Sequence, residues 1–137
     1  MKLQQSIIID RPMAEVFAYR SALHQTGEWQ RNVVATALLA AEPIALGSRG
    51  TEQRLGQREE VSEWELEVTE FEPNSILGIM SRCGDMRVEE RVVLAPDEKN
   101  TRYTVCMEMT GSPLPTAAFH RQTIAALVSF KRRLEGR

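Results

Sequence analysis

Leu114 to Leu134 reads LPTAAFHRQTIAALVSFKRRL, and it is the one segment long and apolar enough to form a major helix. Phe119, Thr123, Ala126 and Phe130 recur at three- and four-residue spacing, and Ile124, Leu127, Lys131 and Leu134 form a second row beside them. The spacing predicts a helix with a wide apolar stripe. Such a helix spans roughly 30 Å, enough to cross a whole small domain. What precedes it reads as sheet, so the fold follows from how that sheet covers the stripe.

Working back along the chain, turn signals divide it into strands of similar length. Val33–Glu42 stops at Pro43, Arg49–Leu55 at Gly56, Glu60–Phe71 at Pro73-Asn74, and Ile76–Arg82 at Gly84-Asp85. Met86–Ala95 stops at Pro96-Asp97, and Thr101–Thr110 at Gly111. Connections this short favour an antiparallel meander, because a parallel pair needs a long crossover. Before it, Lys2–Asp10 carries Ser-Ile-Ile-Ile and reads as a first strand. Pro12 and Glu15 then open a helix to about Ser21, with Val16, Phe17 and Arg20 on one side. His24–Asn32 reads as a short second helix or turn.

Register shows best where Trp64, Leu66 and Val68 alternate with Glu63, Glu65 and Glu67. This period of two predicts a sheet with one covered face and one wet face, the acidic run lying on the wet one. Tyr103, Val105, Met107 and Met109 alternate in the same way with Arg102, Thr104 and Glu108.

The chain has 137 residues, which predicts one domain over residues 1–137. Seventeen Lys and Arg against nineteen Asp and Glu give a formal charge of -2, without the basic footprint of a nucleic-acid binder. No apolar run approaches a membrane span, so no integral membrane association is expected. The N-terminal stretch does not read as a secretory signal. Cys83 and Cys106 fall on strands separated by one other, farther apart than a disulfide allows, and read as free thiols in the cytoplasm. No metal-ligand spacing or phosphate loop is present, and no cofactor is expected.

The order of elements resembles the START-like superfamily, also called the SRPBCC or helix-grip fold, and within it the polyketide cyclase/dehydrase-like group. The residues carrying the resemblance are Ile9-Asp10-Arg11-Pro12 with Val16-Phe17, Trp29, Gly47-Ser48-Arg49-Gly50, Glu70-Phe71-Glu72-Pro73 and the helix from Leu114. It implies an α+β fold in which a curved seven-stranded antiparallel sheet grips the long C-terminal helix. Two short helices would lie between strands 1 and 2, with a cavity between sheet and long helix. Members carry lipids, sterols, quinones or hormones, and some cyclise polyketide chains. Fold does not choose among these.

The site must therefore come from inward side chains. Trp64 is either core or an apolar wall for a ligand. Tyr103 and Met107 share the covered face of the last strand, where Met adapts to varied shapes. Alternation places Glu90 inside with Val88, Val92 and Leu94, and a carboxylate there must be paired, hydrogen-bonded or protonated. It reads as a ligand anchor or a general acid/base, or else as a residue turned out by a bulge or paired with an inner arginine such as Arg54. His120 borders the helical stripe and is a further polar candidate, against the plain reading of an exposed histidine near a helix start. His24 lies near the expected pocket mouth.

Three functions stay open on these residues. The first is binding, transport or sequestration of a small hydrophobic or amphipathic molecule (a lipid, quinone or aromatic polyketide) by Trp64, Glu90, Tyr103, Met107 and His120. The second is a cyclase/dehydrase-type enzyme acting in the same cavity, since catalysis by enforced conformation leaves almost no motif. The third is a protein-interaction module with a vestigial cavity. Nothing in the sequence sets the oligomeric state.

Overall fold

The computed structural model describes residues 1–111 and 115–137, so Leu114, where the sequence places the start of the last helix, lies outside the described residues. The elements are β1 (Lys2–Ile9), α1 (Met13–Ser21), a 3-10 turn (Leu23–Glu28), β2 (Val33–Leu38), β3 (Arg49–Leu55), β4 (Val61–Glu72), β5 (Ile76–Cys83), β6 (Met86–Asp97), β7 (Asn100–Thr110) and α2 (Thr116–Glu135). The strands form one antiparallel seven-stranded sheet in the order β1-β7-β6-β5-β4-β3-β2. Strands β2 to β7 are the expected meander. β1 closes it by pairing with β7 from Lys2 opposite Glu108 to Ile9 opposite Thr101.

The alternation read from the sequence holds on the sheet. Trp64, Leu66 and Val68 are buried while Glu63 and Glu65 are exposed, and Val88, Val92 and Leu94 are buried while Arg87, Glu89 and Arg91 are exposed. Curvature comes with two register shifts, between Val68 and Glu70 on β4 and between Val33 and Ala35 on β2. An extra residue in one strand bends it and increases its twist. Opposite the β4 bulge stands Gly78. A Cβ there would lie 2.9 Å from the Glu70 Cβ and 3.0 Å from the Thr69 hydroxyl, so the bend leaves no room for a side chain.

Helix α2 lies on the concave face and buries Phe119, Thr123, Leu127, Phe130 and Leu134. This stripe is narrower than the two rows predicted. Ile124 is 46% exposed, because the sheet meets one side of the helix only. The C-terminal half is held tightly to the β1–α1 corner. Lys131 Nζ donates to the Ile8 carbonyl at 2.7 Å and to Glu135 at 2.6 Å, the Asp10 N–H donates to Glu135 Oε2 at 2.8 Å, and Arg11 Nη2 donates to the Glu135 carbonyl at 2.6 Å. Burial disfavours the Glu135 carboxylate, but the Asp10 N–H, Lys131 and Arg11 together outweigh it and hold its pKa below the usual range. Phe130 is wholly buried, its ring 5.4 Å from that of Tyr19, 5.1 Å from Trp29 and 5.0 Å from Tyr103.

Several element ends fall one residue from expectation, and three differ by more. β6 runs on to Asp97 rather than stopping at Ala95, so the expected turn residues Pro96-Asp97 belong to the strand. β2 ends at Leu38 rather than Glu42, and the chain beyond leaves the sheet so that Ile44 packs into the core. The second short helix is a 3-10 turn ending at Glu28, after which Trp29 is buried against Phe130.

Candidate functional site: a cavity under the last helix

Where the C-terminal half of α2 is packed solid, its N-terminal half stands over a cavity of about 620 Å³. The helix contributes Phe119, Gln122, Thr123, Ala126 and Leu127 to the lining, and the sheet contributes Trp64 from β4, Val88 and Glu90 from β6, and Tyr103, Val105, Met107 and Met109 from β7. Register brings these together: Glu90 pairs with Met107 across β6 and β7, and Val88 with Met109, so every second residue of both strands faces the helix. Gln30, Asn32, Gln57 and Arg58 add polar groups to the lining. Such a space, mostly apolar with a few converging polar groups, has the size and character of a small-molecule site.

Its polar side is organised by Arg20. This residue is 3% exposed, and its guanidinium forms an ion pair with Glu90, donates from Nε to the Tyr103 hydroxyl at 3.2 Å, and lies 5.0 Å from the centre of the Trp29 ring. Burial alone would lower the Arg20 pKa, but the charge of Glu90, with Tyr103 and Glu52 behind it, holds the guanidinium above its ordinary value. For Tyr103, burial raises the phenol and Glu90 adds to the rise, while Arg20 opposes it both as a charge and as a donor; the net result is a pKa pushed up to about 12. Tyr103 therefore keeps its proton at neutral pH and is a hydrogen-bond donor, not a base.

A second ion pair stiffens the wall at Trp64. Arg54 Nε donates to Glu52 at 2.8 Å, Thr36 donates to the other Glu52 oxygen at 3.0 Å, and the Arg54 guanidinium carbon lies 4.5 Å from the centre of the Trp64 ring. The Trp64 indole N–H donates to Ser62 at 2.9 Å. The ring is thus clamped on one face and at its edge.

Of the residues predicted from the sequence, Trp64, Glu90, Tyr103 and Met107 border the cavity, and His120 does not. The inward row of α2 runs through Phe119 and Thr123, which turns His120 to the flank; its Nε2 is buried without a partner among the described residues. His24 is an exposed partner of Glu42 and is absent from the lining. Glu90 faces inward as alternation predicted, but its partner is Arg20 and not Arg54, which Glu52 occupies. Arg20 is the residue the sequence reading passed over. Its signal was there, a charge in line with Val16 and Phe17 on the buried side of α1. Glu52 gave none, because β3 offers too few apolar residues to reveal its covered face.

Among the described residues, no group of three or more His, Cys, Asp or Glu is placed to hold a metal ion, and no helix is long and apolar enough to cross a membrane. Cys83 and Cys106 are free.

A curved seven-stranded sheet closed on a long helix over a cavity defines a helix-grip protein of the ligand-binding kind. More specifically, residues 1–135 match the family described as polyketide cyclase / dehydrase and lipid transport, and the chain belongs to that family. Solved structures agree on the fold. A protein from Chromobacterium violaceum superposes with a TM-score of 0.82 at 12% identity, over 98% of this chain and 97% of its own. The Zhui aromatase/cyclase of a Streptomyces species gives 0.80 at 9% identity, over 98% and 93%. A protein from Deinococcus radiodurans gives 0.75 at 19% identity, over 98% and 97%. Among curated proteins, none matches the chain in sequence.

Proposed function

We propose that residues 1–137 form a single binding domain that takes one small hydrophobic or amphipathic molecule between the sheet and α2, for carriage or sequestration in the cytoplasm. The observation that carries this reading is the 620 Å³ cavity itself, lined by Trp64, Phe119, Met107 and Met109, with Glu90 and Tyr103 along one side. Rigid aromatic walls suit a ring system or a chain, the methionines adapt to its outline, and the polar pair sets its orientation. The two free cysteines fit a reducing compartment. Lipids, quinones and aromatic polyketides are the ligand classes of matching size and polarity.

A cyclase or dehydrase activity in the same cavity is the second reading. It is favoured by the family description and by the protonated Tyr103, a group able to hydrogen-bond a carbonyl while the walls fold the chain.

Thermal unfolding with a long-chain fatty acid, a naphthoquinone and an anthraquinone tests the binding reading. At a free concentration near a hundred times Kd, a ligand of the native state adds about 2.7 kcal/mol, which in a chain of this size raises the midpoint by roughly 8 °C. At least one class is expected to do so and to change the tryptophan emission, since Trp29 and Trp64 both border the cavity. If all three leave midpoint and emission unchanged at saturation, the reading is wrong.

A further inference from the structure

We propose that the Arg20 side of the cavity is a recognition site for a neutral hydroxyl or enol group on an otherwise apolar ligand, with Glu90 accepting from it and Tyr103 and Trp29 donating to it. The inference rests on the binding reading above and adds the ligand's polar end.

Three unfinished hydrogen bonds point to it. Arg20 engages Oε1 of Glu90, leaving Oε2 without a donor among the described residues, and Glu90 borders the cavity. The Tyr103 oxygen accepts from Arg20, while its own proton finds no acceptor among the described residues. Trp29 is 4% exposed and borders the cavity, and its indole N–H is buried with no partner among the described residues. Buried polar groups are almost always satisfied, so the unpartnered Trp29 N–H calls for a ligand atom, and the spare acceptor of Glu90 and the spare donor of Tyr103 are placed to complete its hydrogen bonds. The groups lie close together. Arg20 touches Glu90, Tyr103 and the Trp29 ring, and Phe130 packs its ring 5.1 Å from Trp29 and 5.0 Å from Tyr103.

The chemistry selects the group. A hydroxyl has one proton to give and two lone pairs to receive, matching one acceptor and two donors. An ether or simple ketone answers the donors and leaves Glu90 unanswered. A carboxylate meets Glu90 as a like charge, and the two inner arginines are already taken, Arg20 by Glu90 and Arg54 by Glu52, while Arg58 borders the cavity from the exposed turn after β3. The interior charges cancel in pairs, so the site favours a neutral guest.

Binding of 1-hydroxypyrene, 1-methoxypyrene and 1-pyrenecarboxylate at pH 7, followed by pyrene fluorescence, tests this on the native protein. The hydroxyl compound is expected to bind at least about tenfold tighter than either analogue, because a site built to hydrogen-bond a hydroxyl leaves its own groups unpaired with the others. In Tyr103→Phe the preference should shrink to within about threefold. If the methoxy or carboxylate compound binds the native protein as tightly as the hydroxyl one, the inference is overturned while the binding reading stands. If none of the three binds saturably, both fall.

Discussion

Phe130→Ala is expected to cost about 3–5 kcal/mol of folding stability, the largest effect of any single truncation on α2. The ring is wholly buried where α1, the 3-10 turn, β7 and α2 meet, and its neighbours Tyr19, Trp29 and Tyr103 are large and rigid. Such neighbours collapse poorly into a void, which places the loss toward the upper part of that range. In a chain of this length it lowers the unfolding midpoint by roughly 10–15 °C. Ile124→Ala on the same helix is the control: at 46% exposure it should change stability by no more than about 0.5 kcal/mol. Urea unfolding of both variants measures the difference. A cost below about 1 kcal/mol for Phe130→Ala would mean that α2 is not gripped at this point.

Glu90→Ala is expected to cost about 3 kcal/mol, because it strands the Arg20 guanidinium at 3% exposure without its counter-charge. Buried pairs broken from one side typically lose about 3–5 kcal/mol. The Glu90 side chain is 20% exposed, so water reaches this pair in part and the lower end applies. The same argument predicts recovery. Replacing both partners, as Arg20→Met with Glu90→Leu, removes the stranded charge and should return most of the loss, leaving the double variant more stable than Glu90→Ala alone. Strictly additive losses in that cycle would show that Arg20 and Glu90 act independently. The double variant also removes the acceptor from this side of the cavity and leaves only the Tyr103 and Trp29 donors, so it should fold and yet lose the preference for the hydroxyl over the methoxy probe.

The comparison of Glu90 with Arg20 shows how far the sequence could be read. That Glu90 faces inward follows from a period of two over nine residues of β6, a local property visible without the fold. That it meets Arg20 depends on how α1 crosses the sheet, a contact between positions 70 residues apart. No pattern in either segment specifies that crossing. His120 illustrates a different limit. On a helix one residue is a rotation of about 100°, so a stripe read to within one position cannot separate a lining residue from a flanking one. The strands were legible because Pro, Gly and Asn-rich turns punctuate them and charge alternates with apolar groups. The bend that makes the cavity was not, since a bulge such as that between Val68 and Glu70 adds one residue without altering composition.

The central claim is that the space under α2 is a ligand site and not a packing defect, and native mass spectrometry of gently purified protein tests it most directly. Ala126 lines the cavity from the helix, and Ala126→Trp would fill part of it. The account predicts a one-to-one adduct of an apolar molecule on the native chain, present on purification or after incubation with a fatty acid, a naphthoquinone and an anthraquinone, and its loss in Ala126→Trp. An unliganded mass under all of these conditions, or an adduct that Ala126→Trp retains in full, would contradict it.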